Sequence, residues 1–234
     1  MKPGPARRQP AQVERLAGLR FFWRRHVQRE RMTFLNERPV HTPWGVADYA
    51  REYAEGIVFY GTPSHGGFKL FAERLAQMHP ALREPGGWFE EDCAWAKVAF
   101  AFRECFTEEQ QEAAIQTLKD WCPDEYEAVT GETLAPGASH IKDQRLFHEC
   151  HAQDWVVISA IRSDQHPGTV ECIATLGGKR GEWGKSDREK RRYPVPDAEY
   201  DRRGKFGFVI DPDRHALCDG PTVADATIAR RAAS

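Results

Sequence analysis

At 234 residues, 41% apolar and 11% aromatic, the chain is long enough to bury a core without disulfide support. The formal net charge is only −2, but it is unevenly spread. Residues 1–31 carry a net +7 and residues 177–192 a net +4, which leaves −13 on the remainder. Arg20, Arg24 and Arg25 interrupt any secretory apolar core, and no apolar run approaches a membrane span. These features argue against export and membrane insertion, and the expected location is cytoplasmic. The six cysteines form no C-x-x-C pair. They are expected to be reduced, with Cys93 and Cys105 buried as small hydrophobes in helical segments.

In chain order, Met1–Pro10 is Pro/Arg-rich and expected to lack structure. Gln12–Arg31 has helical apolar spacing with an arginine-rich opposite face. It reads either as a basic helix for nucleic acid or a partner groove, or as an extension upstream of a folded unit starting at Met32. The expected organisation is therefore a basic extension over 1–31 and a single α+β domain over 32–234.

Thr42-Pro43-Trp44-Gly45 predicts a turn, and Ala47–Tyr53 a short helix ended by Gly56. Ile57–Tyr60 and Gly67–Leu70 predict a hairpin whose loop is Thr62–Gly66. Phe71–Met78 predicts a helix. Glu90–Phe102 is apolar on nearly every side after its first turn, which predicts a central buried helix with Glu90, Glu91 and Asp92 at its positive end. Thr107 and Gln110 have the spacing of a capping box, heading a helix that runs to about Trp121. Short helices follow from Pro123 to about Gly131 and over Ile141–His151. Strands are expected over Trp155–Ile161, Thr169–Leu176, Arg191–Val195 and Phe206–Ile210, with one helical turn at Pro196–Tyr200. The class that results is α+β, an antiparallel sheet covered by helices on one face, with a basic N-terminal helical extension.

The stretch from Thr62 to Trp95 concentrates the chemistry. His65 sits between Ser64 and the pair Gly66-Gly67, where an imidazole can titrate or donate and adjacent amides can form an anion nest. Trp88 precedes Glu90, Glu91 and Asp92. Mutual repulsion can adapt one of these acids to acid–base work, or the group can hold a metal with nitrogen from His65. Their position in a first helical turn is also what the helix dipole favours, and that reading is preferred. Cys93 is disfavoured as a nucleophile because its acidic neighbours raise a thiol pKa. His148 and His151 share a helix face, but no second ligand pair stands at a recognisable spacing, so no metal site is expected. Lys179, Arg180, Trp183 and Lys185 mix cations with one aromatic ring, a pattern that can bind phosphate or single strands and that a solvated loop also explains. Walker, dinucleotide, zinc-protease and α/β-hydrolase signatures are absent from the sequence.

The blocks T-P-W-G (42–45), G-I-V-F-Y-G-T-P-S-H-G-G-F (56–68), G-W-F-E-E-D-C-A-W-A (87–96), D-W-V-V-I-S-A (154–160) and G-K-F-G-F-V-I-D-P (204–212) resemble an uncharacterised domain family. That family is met in proteobacterial plasmids, integrative elements and phages. The resemblance implies a mobile-element accessory protein acting by binding a host protein or nucleic acid, with counter-defence as one such role. It places His65, Glu91, Asp92 and Cys93 in shared motifs. The alternative is a small hydrolase or transferase. Its candidate catalytic residues are His65, Glu91 and Asp92, and its candidate binding residues are Ser64, Gly66, Gly67 and Trp88, with Lys179, Arg180, Trp183 and Lys185 further along. That alternative requires His65 to converge within hydrogen-bond reach of a carboxylate of Glu91 or Asp92 in an open cleft.

Overall fold

The structure, a computed structural model, describes residues 32–34, 39–162, 166–181 and 189–218. The expected N-terminal helix, Trp183 and Lys185 lie outside the described residues. The class is α+β with antiparallel sheets, and the chain divides into two compact units, 1–141 and 142–234.

The first unit is built on a five-stranded sheet in the order β1-β4-β5-β6-β7. The strands are β1 (Met32–Phe34), β4 (Tyr49–Ala54), β5 (Ile57–Gly61), β6 (Gly66–Leu70) and β7 (Trp88–Glu90). A separate small hairpin pairs β2 (His41–Thr42) with β3 (Gly45–Val46) across the predicted Thr42–Gly45 turn. The β5–β6 hairpin forms as its sequence predicts, with Phe59 opposite Phe68 and Gly61 opposite Gly66. Phe68 is in turn paired with Phe89 on β7.

Alternation then sorts the side chains. Ile57, Phe59, Phe68, Leu70 and Phe89 point to one face and are fully or nearly fully buried. Helices α1 (Ala72–Gln77), α2 (Trp95–Ala101), α3 (Glu108–Trp121) and α4 (Pro123–Thr130) complete the unit. Trp95, Val98, Ala114, Leu118 and Tyr126 join the same apolar cluster as the sheet residues. Thr107 and Gln110 form the predicted capping box at the start of α3. Helix α5 (His140–Cys150) follows in the chain.

Two expectations here are corrected. Ala47–Tyr53 is no helix: Tyr49–Ala54 is a strand paired on both sides, to β1 and to β5. Its alanine, glutamate and arginine content favours a helix, but Tyr53 packs its ring on Phe68 at 4.9 Å and on Phe106 at 5.3 Å. Cross-strand packing of this kind outweighs intrinsic propensity. The central helix is also shorter than predicted. Trp88–Glu90 is a strand and residues 91–94 form a turn, so the helix begins only at Trp95. The cause is local. The Glu90 carboxylate accepts from the Asp92 N–H at 2.8 Å and the Cys93 N–H at 3.4 Å, which satisfies the turn without helical bonding. The three acids therefore do not occupy a first helical turn.

The second unit carries a three-stranded antiparallel sheet, β10-β9-β8, formed by β8 (Trp155–Arg162), β9 (Thr169–Leu176) and β10 (Arg191–Pro196). The one-turn helix α6 (Asp197–Tyr200) follows β10. Val170, Cys172, Ala174, Tyr193, Val195 and Ile210 make its core. Phe206–Ile210 does not form the predicted strand. It meets β8 through a single bridge, Val156 with Val209, flanked by Val157 N–H to Phe208 O at 2.9 Å and Ile210 N–H to Trp155 O at 2.7 Å. The Gly204–Gly207 turn immediately before it takes up the residues that would have extended the ladder.

Candidate functional site

The β5–β6 loop is held by its own threonine. Thr62 N–H and Oγ1 both donate to His65 O at 2.7 Å, and His65 N–H donates back to Thr62 Oγ1 at 3.0 Å. The loop backbone is thus closed on itself, with Pro63 and Ser64 exposed at its tip and His65 half-buried at the start of β6. On the other side of β6, Glu90 is paired with Gly67, and Glu91 N–H donates to Gly66 O at 3.0 Å. Adjacent strands therefore carry the imidazole and the acidic turn to the same place.

His65 Nδ1 lies 3.9 Å from Glu91 Oε1. Ligating atoms of His65, Glu90 and Asp92 all lie within 4.8 Å of one another. His65 Nδ1 is shielded from solvent and has no hydrogen-bond partner, although the His65 side chain as a whole is 39% exposed. Burial raises the Glu90 carboxyl pKa; the backbone N–H of Asp92 opposes the rise and the Asp92 charge adds to it.

Gly66 and Gly67 are extended strand residues, neither with positive φ. They do not form the alternating-handed nest that binds anions. Their requirement is close approach. A Cβ on Gly66 would stand 2.5 Å from Phe59 Cζ and 2.8 Å from Glu91 Oε2, and one on Gly67 would collide with the Trp44 ring and the Phe89 carbonyl. The bare backbone of Gly67 makes room for Trp44 on the sheet face away from the apolar cluster. There Trp88 meets Trp44 edge-on at 5.7 Å and Tyr60 at 5.8 Å, and Lys69 Nζ lies 5.0 Å from the Trp88 ring centroid. Trp44, Tyr60 and Lys69 were not among the candidates read from the sequence. The signal for two of them was available in the alternation of β5, β6 and β7, which places Tyr60 and Lys69 on the face of Trp88.

The remaining candidates are dispersed. Cys93 is held up to about 12, first by burial and then by Cys122, Glu90 and Asp92, which fits its exclusion as a nucleophile. Cys93 and Cys105 are half-buried rather than fully buried, and all six thiols are free. Leu146 and Cys150 are exposed on α5. His148 is exposed, and His151 Nδ1 pairs with Asp154 Oδ2 at 2.7 Å. Lys179 and Arg180 are exposed, with Arg180 Nη2 donating to Ile158 O at 2.5 Å.

Burial holds the Cys122 thiol up to about 11 and the Cys172 thiol up to about 12, so both stay protonated at mildly alkaline pH. In native protein near pH 8, iodoacetamide should therefore label exposed Cys150 well before Cys122 and Cys172. Mass spectrometry of a time course checks this order; early labelling of Cys172 would contradict the packing of the second unit.

Residues 37–152 match the model of a family described as Domain of unknown function (DUF7007). The matched segment contains every residue of the His65 cluster and the aromatic face. No curated protein and no solved structure matches the chain. Among the described residues, no helix is long and apolar enough to cross a membrane.

Proposed function

We propose that the first unit carries the active site of a small hydrolase or transferase. The observation that supports this reading most is the convergence of His65 and Glu91, 3.9 Å apart, from two turns held on neighbouring strands. Separations of this size tighten when substrate orders a site. The His65–Glu91 pair takes the proton of a water or hydroxyl as that oxygen adds to an acyl or phosphoryl centre. The bond to the leaving oxygen then breaks, and the pair returns the proton to it. The ring of Trp88, flanked by Trp44, Tyr60 and Lys69, offers a stacking surface beside the reacting centre.

The test is turnover of p-nitrophenyl acetate, p-nitrophenyl phosphate and bis-p-nitrophenyl phosphate by the purified chain. His65→Ala and Glu91→Gln should each lower kcat/KM by about 100-fold, with the circular dichroism spectrum unchanged. Absence of turnover on all three substrates, or full activity in His65→Ala, would refute the catalytic reading. The charge distribution of the sequence favours a second reading, an accessory protein of a mobile element that binds host protein or nucleic acid. Its mark would be DNA affinity that falls steeply with salt, or recovery of a specific host protein by the full chain.

A further inference from the structure

We propose that His65, Glu90 and Asp92 form a binding site for one divalent transition-metal ion, a site that rests on the catalytic reading above and supplies its cofactor. The donor atoms lie within 4.8 Å of one another. Bonds of about 2.0–2.2 Å to a shared ion would place them somewhat closer, a change that side-chain rotation can supply. One imidazole nitrogen with two carboxylates suits zinc, cobalt, manganese or iron better than magnesium or calcium, which prefer oxygen throughout. Three protein ligands leave the remaining positions to water and substrate, as catalytic sites require.

The backbone favours such a site. Glu90 is locked in register with Gly67 on β6, and His65 directly precedes that strand. Glu90 Oε2 accepts from the N–H groups of Asp92 and Cys93, so the carboxylate is oriented by main chain. His65 Nδ1 is shielded from water without a hydrogen-bond partner, a state that costs free energy until the ring is engaged. Glu91 stands outside the three-donor set, 3.9 Å from the ring. With an ion on the imidazole, Glu91 becomes the member of the pair that accepts the proton.

The experiment titrates the full chain, stripped with chelator, with Co²⁺ and Zn²⁺, read by calorimetry and by the visible absorption of bound Co²⁺. One ion per chain is expected. Glu90→Gln and Asp92→Asn should each weaken it by about tenfold or more, while Glu91→Gln and Cys122→Ser leave it in place. Absence of binding, or binding that neither Glu90→Gln nor Asp92→Asn weakens, would overturn the site. Should those variants fail to fold, pulsed electron paramagnetic resonance of Mn²⁺-loaded wild type decides. Coupling to one imidazole nitrogen supports the assignment; none, or two, defeats it. Turnover that persists in chelator removes the metal and leaves the catalytic pair, whereas a bound ion without turnover keeps the metal site and removes the hydrolase or transferase.

Discussion

Replacing Phe68 with alanine is expected to cost about 3–5 kcal/mol of folding stability, the range for emptying a large aromatic position in a close-packed core. Phe68 is fully buried at the centre of β6. Its ring meets Tyr53 at 4.9 Å, Phe59 at 5.2 Å and Phe106 at 5.7 Å, each in an edge-on arrangement. It therefore ties β4, β5 and the segment after α2 to one strand, and no single neighbour can move to fill the space. Urea denaturation measures the loss. A cost below about 1 kcal/mol would mean that this site collapses far more readily than packed interiors do.

Lys97→Ala should destabilise the first unit by about 3 kcal/mol, the lower end of the range for breaking a buried ion pair. Lys97 is 5% exposed on α2, and its Nζ reaches Glu84 Oε1 at 2.7 Å and Glu125 Oε1 at 2.9 Å. The ammonium joins the N-cap of the 3₁₀ turn Pro85–Gly87, helix α2 and helix α4. Removing it leaves two carboxylates facing a buried space, and their partial exposure softens the penalty. The triple variant Lys97→Met, Glu84→Gln, Glu125→Gln should recover much of the loss, because no charge is then left unpaired. Burial lowers the Lys97 pKa, but hydrogen bonds to Glu84 and Glu125 outweigh it and leave the value raised. A cation whose folded pKa exceeds its unfolded value contributes stability in full below the unfolded value, about 10.4. That contribution is lost as pH rises through the folded value. Wild-type stability should fall in this alkaline range more than that of the triple variant; equal slopes would show that Lys97 is not the group responsible.

Much of the architecture was legible in the order of residues. The Thr62–Gly66 loop, the Thr107 cap, the helices from Pro123 and near Ile141, and three strands of the second unit follow from periodicity and punctuation. The segments that misled did so for different reasons. Tyr49–Ala54 has helix-forming residues, but two flanking strands and an aromatic core claim it. Glu90–Asp92 has helix-start composition, but the Glu90 carboxylate folds onto the following amides. Lys97 was hidden inside an apolar run whose two partners lie 13 and 28 residues away in the sequence. At the candidate site, the sequence requirement was hydrogen-bond reach between His65 and an acid of the turn; His65 Nδ1 stands 3.9 Å from Glu91 Oε1, near it but beyond that reach. Trp44 and Gly67 were not paired in advance, since nothing local to either residue announces that a tryptophan from one hairpin rests on the glycine of another.

Strands β5, β6 and β7 are consecutive in the chain as well as side by side in the sheet. The imidazole and the acidic turn therefore come together through short-range zipping, without the docking of remote pieces. During synthesis, this arrangement allows the nascent chain to assemble the whole cluster while residues 142–234 are still being added on the ribosome. The order of translation and the order of site formation coincide.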